Sequence, residues 1–145
     1  MPEQDYPRWL KAIILFMLIP IGILAYVAIA GDMDLTYEIT DAGVQIKHGG
    51  AMIIIPGENR TIPFEEIEEI ELRERIPKMR KIFGKDGIRT WIGDFRSDEY
   101  GRVKAYVLNT RWPAVIIKTA NQIFVLTPEN AAAFVQQVQA RLTGN

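Results

Sequence analysis

Residues 12–30 read AIILFMLIPIGILAYVAIA, nineteen in succession without a charge. A helix rises about 1.5 Å per residue, so a run of this length spans roughly 28 Å. The hydrocarbon core of a bilayer is about 30 Å thick. Apolar side chains occupy every face of the run and leave no polar stripe, which argues against a helix packed on a soluble core. The sequence therefore divides into a cytoplasmic N-terminal flank at 1–11, a transmembrane helix at 12–30 and one domain at 31–145. The 115 residues after Ala30 are enough to enclose a core without covalent staples.

Charge predicts the orientation. Arg8 and Lys11 precede the run, whereas Asp32, Asp34, Glu38 and Asp41 follow it, and the first later cation is Lys47. Lys and Arg are retained on the cytoplasmic side. The expectation is a single-pass protein of the cell (inner) membrane, N-terminus in and domain outside. Trp9 and Tyr26 lie near the two ends, where amphipathic rings favour the interface. Ala28-Ile29-Ala30 before Gly31 has the small-x-small form of a signal-peptide cleavage site, but the apolar stretch exceeds a usual signal core. An uncleaved anchor is the preferred reading, and both readings export the domain. Pro20 and Gly22 are tolerated in a bilayer helix. Gly22, Ala25 and Ala28 are candidate packing positions, because small residues allow a second helix to approach closely.

From Thr36 the pattern becomes that of strands. Thr36–Thr40 alternates, Asp41-Ala42-Gly43 signals a turn, and Val44–Lys47 resumes the alternation. Met52–Ile55 and Thr61–Phe64 read as short extended pieces, and a turn at Pro63–Glu66 leads into a strand carrying Ile67, Ile70 and Leu72. Ile76–Gly87, punctuated by Pro77, Gly84 and Gly87, reads as a long loop. Ile88–Phe95, Val103–Leu108, Val115–Lys118 and Ile123–Leu126 are strand-like. Thr127 is placed to cap a final helix, with Pro128 at its first position. Ala131, Phe134, Val135, Val138 and Leu142 share one helical face. The fold class is α+β: several antiparallel strands closed by one amphipathic C-terminal helix.

These residues resemble a known family. Trp91-Ile92-Gly93-Asp94-Phe95, Gly101–Val107 and Val115–Thr119 are similar to segments of the bacterial PH-like (pleckstrin homology-like) domains. The ending Ile123–Glu129 followed by Phe134, the opening Tyr37–Val44, and Pro63-Phe64-Glu65-Glu66-Ile67 resemble the same family, so the likeness covers most of 36–142. It implies a bent antiparallel sheet capped by one C-terminal α-helix, in a family that often carries membrane segments. Fold alone does not determine activity. Eukaryotic PH domains hold phosphoinositides with a basic loop between their first two strands. The corresponding turn here, Asp41-Ala42-Gly43, is not basic. The resemblance brings no catalytic residues.

The main polar feature is the segment 73–89. Arg73, Arg75, Lys78, Arg80, Lys81, Lys85 and Arg89 face only Glu74 and Asp86 within it, a local excess of five positive charges. Each cation near an anionic leaflet is worth about 1 kcal/mol, so these seven are candidate anion- or lipid-binding residues, with Ile82-Phe83 able to dip into the interface. A solvated loop partly neutralised by the glutamates of 65–71 is the plainer reading. Those glutamates lack the order of a calcium loop. His48 is the only histidine, reads as a turn residue beside Gly49-Gly50, and has no nucleophile or ligand set to join. Gly84-Lys85-Asp86-Gly87 lacks the spacing of a phosphate loop. Trp91, Tyr100 and Trp112 read as core or hairpin aromatics. A net charge of −1 gives no pull toward nucleic acid, and the absence of cysteine excludes thiolate chemistry. No cofactor or metal is expected.

The leading expectation is a membrane-anchored, non-enzymatic binding or assembly module. Its partners would be the bilayer through 12–30, an envelope or membrane-complex protein, or a second copy in a homo-oligomer. The alternative is anionic-lipid binding through the basic segment.

Overall fold

The computed structural model describes residues 7–30, 35–49 and 57–144. Helix α1 runs Arg8–Ala30, four residues earlier at its start than the uncharged run. It continues through Pro20. None of its side chains from Arg8 to Tyr26 is buried, and it is long and apolar enough to cross a bilayer. The side chain of Ala28 and the expected strand at Met52–Ile55 lie outside the described residues.

Strands β1 (Thr36–Ile39), β2 (Gly43–His48) and β3 (Glu58–Pro63) form an antiparallel three-stranded sheet. The alternation read from the sequence sets its inner face. Val44, Ile46 and Ile62 are buried, while Gln45 and Lys47 face outward. A single 3₁₀ turn at Phe64–Glu66 leads into β4 (Ile67–Arg73), as the Pro63–Glu66 pattern predicts.

The second sheet has six strands. With β5 (Met79–Asp86), β6 (Trp91–Ser97), β7 (Gly101–Val107), β8 (Ala114–Thr119) and β9 (Ile123–Leu126), its order is β4-β8-β9-β7-β6-β5. All its pairs are antiparallel except β7 with β9, which is parallel. The parallel pair arises because β9 folds back between β8 and β7. The connection from β7 to β8 then has to pass the end of β9. Fully buried Thr127 secures that passage, its hydroxyl accepting from the amides of Leu108 (2.9 Å) and Asn109 (3.1 Å).

Helix α2 (Ala131–Thr143) therefore starts later than the sequence suggests. Thr127 is occupied by the crossover, and Asn130 caps the helix by accepting from the Ala133 amide at 3.1 Å. Ala131, Phe134, Val135 and Val138 are buried and Leu142 packs beside them, as the helical period predicts.

Two apolar clusters organise the domain. One lies where the three-stranded sheet, one face of the six-stranded sheet and α2 meet, and includes Val44, Ile62, Tyr106, Ile117, Leu126 and Val138. The other lies on the opposite face of the six-stranded sheet, around Phe95, Val103, Val107, Ile116 and Val125. Connectivity explains how that second face is covered. β4 and β5 are opposite edges of the sheet, yet only residues 74–78 join them. Six strands at about 4.8 Å spacing span roughly 24 Å when flat. The joining segment reaches at most about 21 Å from Arg73 to Met79 when fully extended. The sheet must curl, and Ile76, Met79 and Trp91 close over the cluster.

Candidate functional site

The segment 73–89 is not a continuous loop. Residues 79–86 form β5, paired with β6 over most of its length. The segment thus falls into three parts: the end of β4 with Arg73, the joining loop with Arg75 and Lys78, and a β5–β6 hairpin with Arg80, Lys81, Lys85 and, at its turn, Arg89.

Arg73 closes the curled sheet. Its guanidinium donates to both carboxylate oxygens of Glu99, at 2.7 and 3.0 Å, to Glu71 at 3.1 Å and to the Tyr100 hydroxyl at 3.0 Å. The Tyr100 hydroxyl donates to Glu71 at 3.1 Å, and Lys118 donates to Glu69 at 2.9 Å. This network joins β4, β8 and the β6–β7 turn. Burial, the Glu71 hydrogen bond and that carboxylate's charge push the Tyr100 hydroxyl up to about 12. Burial opposes ionisation of Glu71, but the bonds from Arg73 and Tyr100 outweigh it and hold the carboxyl below its ordinary value. A groove of about 700 Å³ lies beside the network, lined by Leu72, Arg75, Ile76, Lys78, Asp98 and Glu99 among others. Its cations and acids are mixed.

Of the glutamates of 65–71, Glu69 and Glu71 are therefore spent on Lys118 and Arg73, not on the rest of the basic segment. On the hairpin, Lys81 pairs with Asp86 of its own strand. Arg80 approaches Asp98 only to 3.9 Å, with both side chains more than four-fifths exposed. Arg75, Lys78 and Arg89 form no ion pair among the described residues.

The hairpin also carries apolar surface. Outside α1, the large apolar side chains exposed among the described residues are Leu72, Ile82, Phe83 and Ile88, and three of these lie here. Ile82 is the extra residue of a bulge between Lys81 and Phe83. Past the bulge, Phe83 and Lys85 share a strand face, opposite Asp94 and Ile92. Gly84 and Gly93 are paired, both with positive φ (125° and 136°), and the backbones approach so closely that a Cβ on either would strike the facing carbonyl. Bulge and glycine pair together bend the arm. Its turn is fixed: the Gly87 amide donates to Thr90 O (2.9 Å), the Trp91 indole donates to Gly87 O (3.0 Å), and the Thr110 amide donates to Arg89 O (2.9 Å). Ile88, 93 % exposed, is held out on this braced turn. The sequence shows Ile82-Phe83 as an apolar pair among cations. The role of Ile88 depends on a turn braced by a residue 22 positions away.

The other sequence candidates sit elsewhere. Gly22 and Ala25 are on exposed faces of α1, and apart from its neighbours along the helix nothing described lies within 4 Å of a Cβ built on Gly22. The β1–β2 turn places Asp41 against Arg141 of α2 at 2.8 Å. His48 is not a turn residue but the buried end of β2. Its Nε2 lies 3.6 Å from Glu58, and the Glu58 carboxylate accepts from the Tyr106 hydroxyl at 2.9 Å. The strand alternation continues through it, which places its side chain inward with Val44 and Ile46. Among the described residues no group of three or more His, Asp and Glu is arranged to hold a metal ion.

No curated protein and no solved structure is similar enough to match the chain. The family model described as a bacterial PH domain matches residues 35–142. That interval begins just before β1 and ends within α2, and so takes in both sheets and the capping helix. The agreement of the matched residues with the two-sheet, one-helix architecture shows that the chain belongs to the bacterial PH domain family.

Proposed function

We propose that the protein is a single-span membrane protein that presents a non-enzymatic interaction module at the membrane face. The family is one of binding or interaction modules. One observation carries the membrane reading: among the described residues, α1 contributes no side chain to either apolar cluster. An apolar helix that buries nothing in its own described chain needs another apolar environment, and a bilayer supplies one. The cations at Arg8 and Lys11 favour the N-terminus inside and the domain outside. The partner is an envelope or membrane-complex protein, or a second copy, with Gly22, Ala25 and Ala28 as the helix-packing face.

Topology is the first test. Asn121 is exposed in the β8–β9 turn and the chain has no cysteine, so Asn121→Cys gives a single reporter. A membrane-impermeant maleimide is expected to label it in intact cells. Labelling only after lysis would reverse the orientation. Gly22→Leu is expected to remove copurifying membrane proteins, and an unchanged set would sink the helix-packing idea.

A further inference from the structure

We propose that the β5–β6 hairpin is a membrane-docking arm that seats Ile82, Phe83 and Ile88 in the surface of an anionic bilayer. The inference rests on the reading that α1 spans the membrane. It adds a second contact, made by the domain itself.

Three features of the arm support this. First, large apolar groups and cations are exposed side by side on it: Ile82, Phe83 and Ile88 beside Arg80, Lys81 and Arg89, with Lys85 half-buried on the same strand. The acids within it are Asp86, paired with Lys81, and Asp94, which lies 3.7 Å from Arg102. Apolar groups that enter the headgroup region together with cations that meet anionic lipid form a complementary pair. Second, the turn is braced by Thr110, so the order needed to present Ile88 is already built into the free protein. Third, the domain is held close to the bilayer. Only residues 31–35 separate the end of α1 from β1, and five residues span at most roughly 20 Å. A surface held that close is available at high effective concentration.

The edge of β5 is less suited to a peptide strand. A bulge at Ile82 and three cations along the strand are the devices that block strand addition. The mixed-charge groove beside Arg73 lacks the positive excess that an anionic surface would select.

The test uses the full chain in proteoliposomes with one environment-sensitive fluorophore on Ile88→Cys, Leu18→Cys or Asn121→Cys. Vesicles are phosphatidylcholine alone or phosphatidylcholine with phosphatidylglycerol. The expected result is blue-shifted emission, quenched by spin-labelled lipid, at position 18 in both vesicles and at position 88 only with phosphatidylglycerol. Position 121 should stay in water throughout. The combined change Lys78→Gln, Arg80→Gln, Lys85→Gln and Arg89→Gln should return position 88 to water, as should high salt. A wet probe at 88 with a dry probe at 18 overturns the docking arm, keeps the anchor, and leaves the hairpin to a protein partner. A dry probe at 88 in both vesicles overturns the requirement for anionic lipid. A wet probe at 18 overturns the anchor and the inference with it.

Discussion

Thr127 shows how one residue type serves two purposes that look alike in sequence. A Thr followed by Pro and Glu before a helical period is a cap signal. The hydroxyl instead binds the Leu108 and Asn109 amides and locks the β7–β8 crossover. We predict that Thr127→Val, which leaves both amides without their acceptor, lowers unfolding free energy by about 2 kcal/mol. Thr127→Ser keeps the oxygen and should lose about half as much. Urea denaturation measures both, and a Val variant as stable as the wild type would show that the hydroxyl does not hold the crossover. Glu58 supplies a pH-dependent term. Burial works against its ionisation, but the Tyr106 hydroxyl, Arg60 and Lys104 prevail and hold the carboxyl below its ordinary value of 4.5. A depressed carboxyl stabilises the fold above the unfolded-state value, and that stability is lost as pH falls through the folded value. Tyr106→Phe should therefore destabilise most at neutral pH, with the gap in Tm from the wild type narrowing below about pH 4.5. A gap constant with pH would mean that the hydroxyl acts elsewhere. Neither role is visible in sequence, because each partner is brought in from a distant strand.

At the scale of elements, legibility follows burial. Helix α2 and strand β2 each have one buried face, so the periods of 3.6 and 2 stand out and the sequence locates both. β5 is an edge strand whose residues 80–83 are all exposed, so no apolar alternation marks it. Its breakers are real but act differently. Gly84 does not interrupt the strand; it faces Gly93 where the two backbones nearly touch. We predict that Gly93→Ala, whose Cβ would strike the Phe83 carbonyl, costs about 2 kcal/mol or more in strained backbone. Hydrogen exchange should quicken across 79–86 and stay unchanged in α2. Protection retained along β5 would show that the arm does not depend on that close approach. The same substitution offers a way to loosen the arm while its charges and apolar side chains stay in place.

At the scale of the whole molecule, the α+β class, the C-terminal helix and the single apolar span were open to sequence reasoning because each follows from a periodicity or a run. The candidate surface was only half open. Arg73 and Arg89 are equivalent in a charge count, but the curl of the sheet commits Arg73 to Glu71 and Glu99 and leaves Arg89 exposed at the turn of the hairpin. Which cations belong to a surface is decided by strand order, and no local pattern encodes strand order. That order has a temporal consequence as well. β9 is inserted between two strands that precede it, so β7 and β8 cannot be bridged until residues 123–126 have been made. We predict that a chain ending at Thr119 shows no cooperative unfolding, by circular dichroism against urea, despite retaining eight of the nine strands described. A sharp transition would refute this. The ribosome delivers the apolar helix before the domain, and the keystone strand after every other strand described. Until then the domain is an unsealed sheet, and final closure waits for β9 and the helix that follows it to emerge.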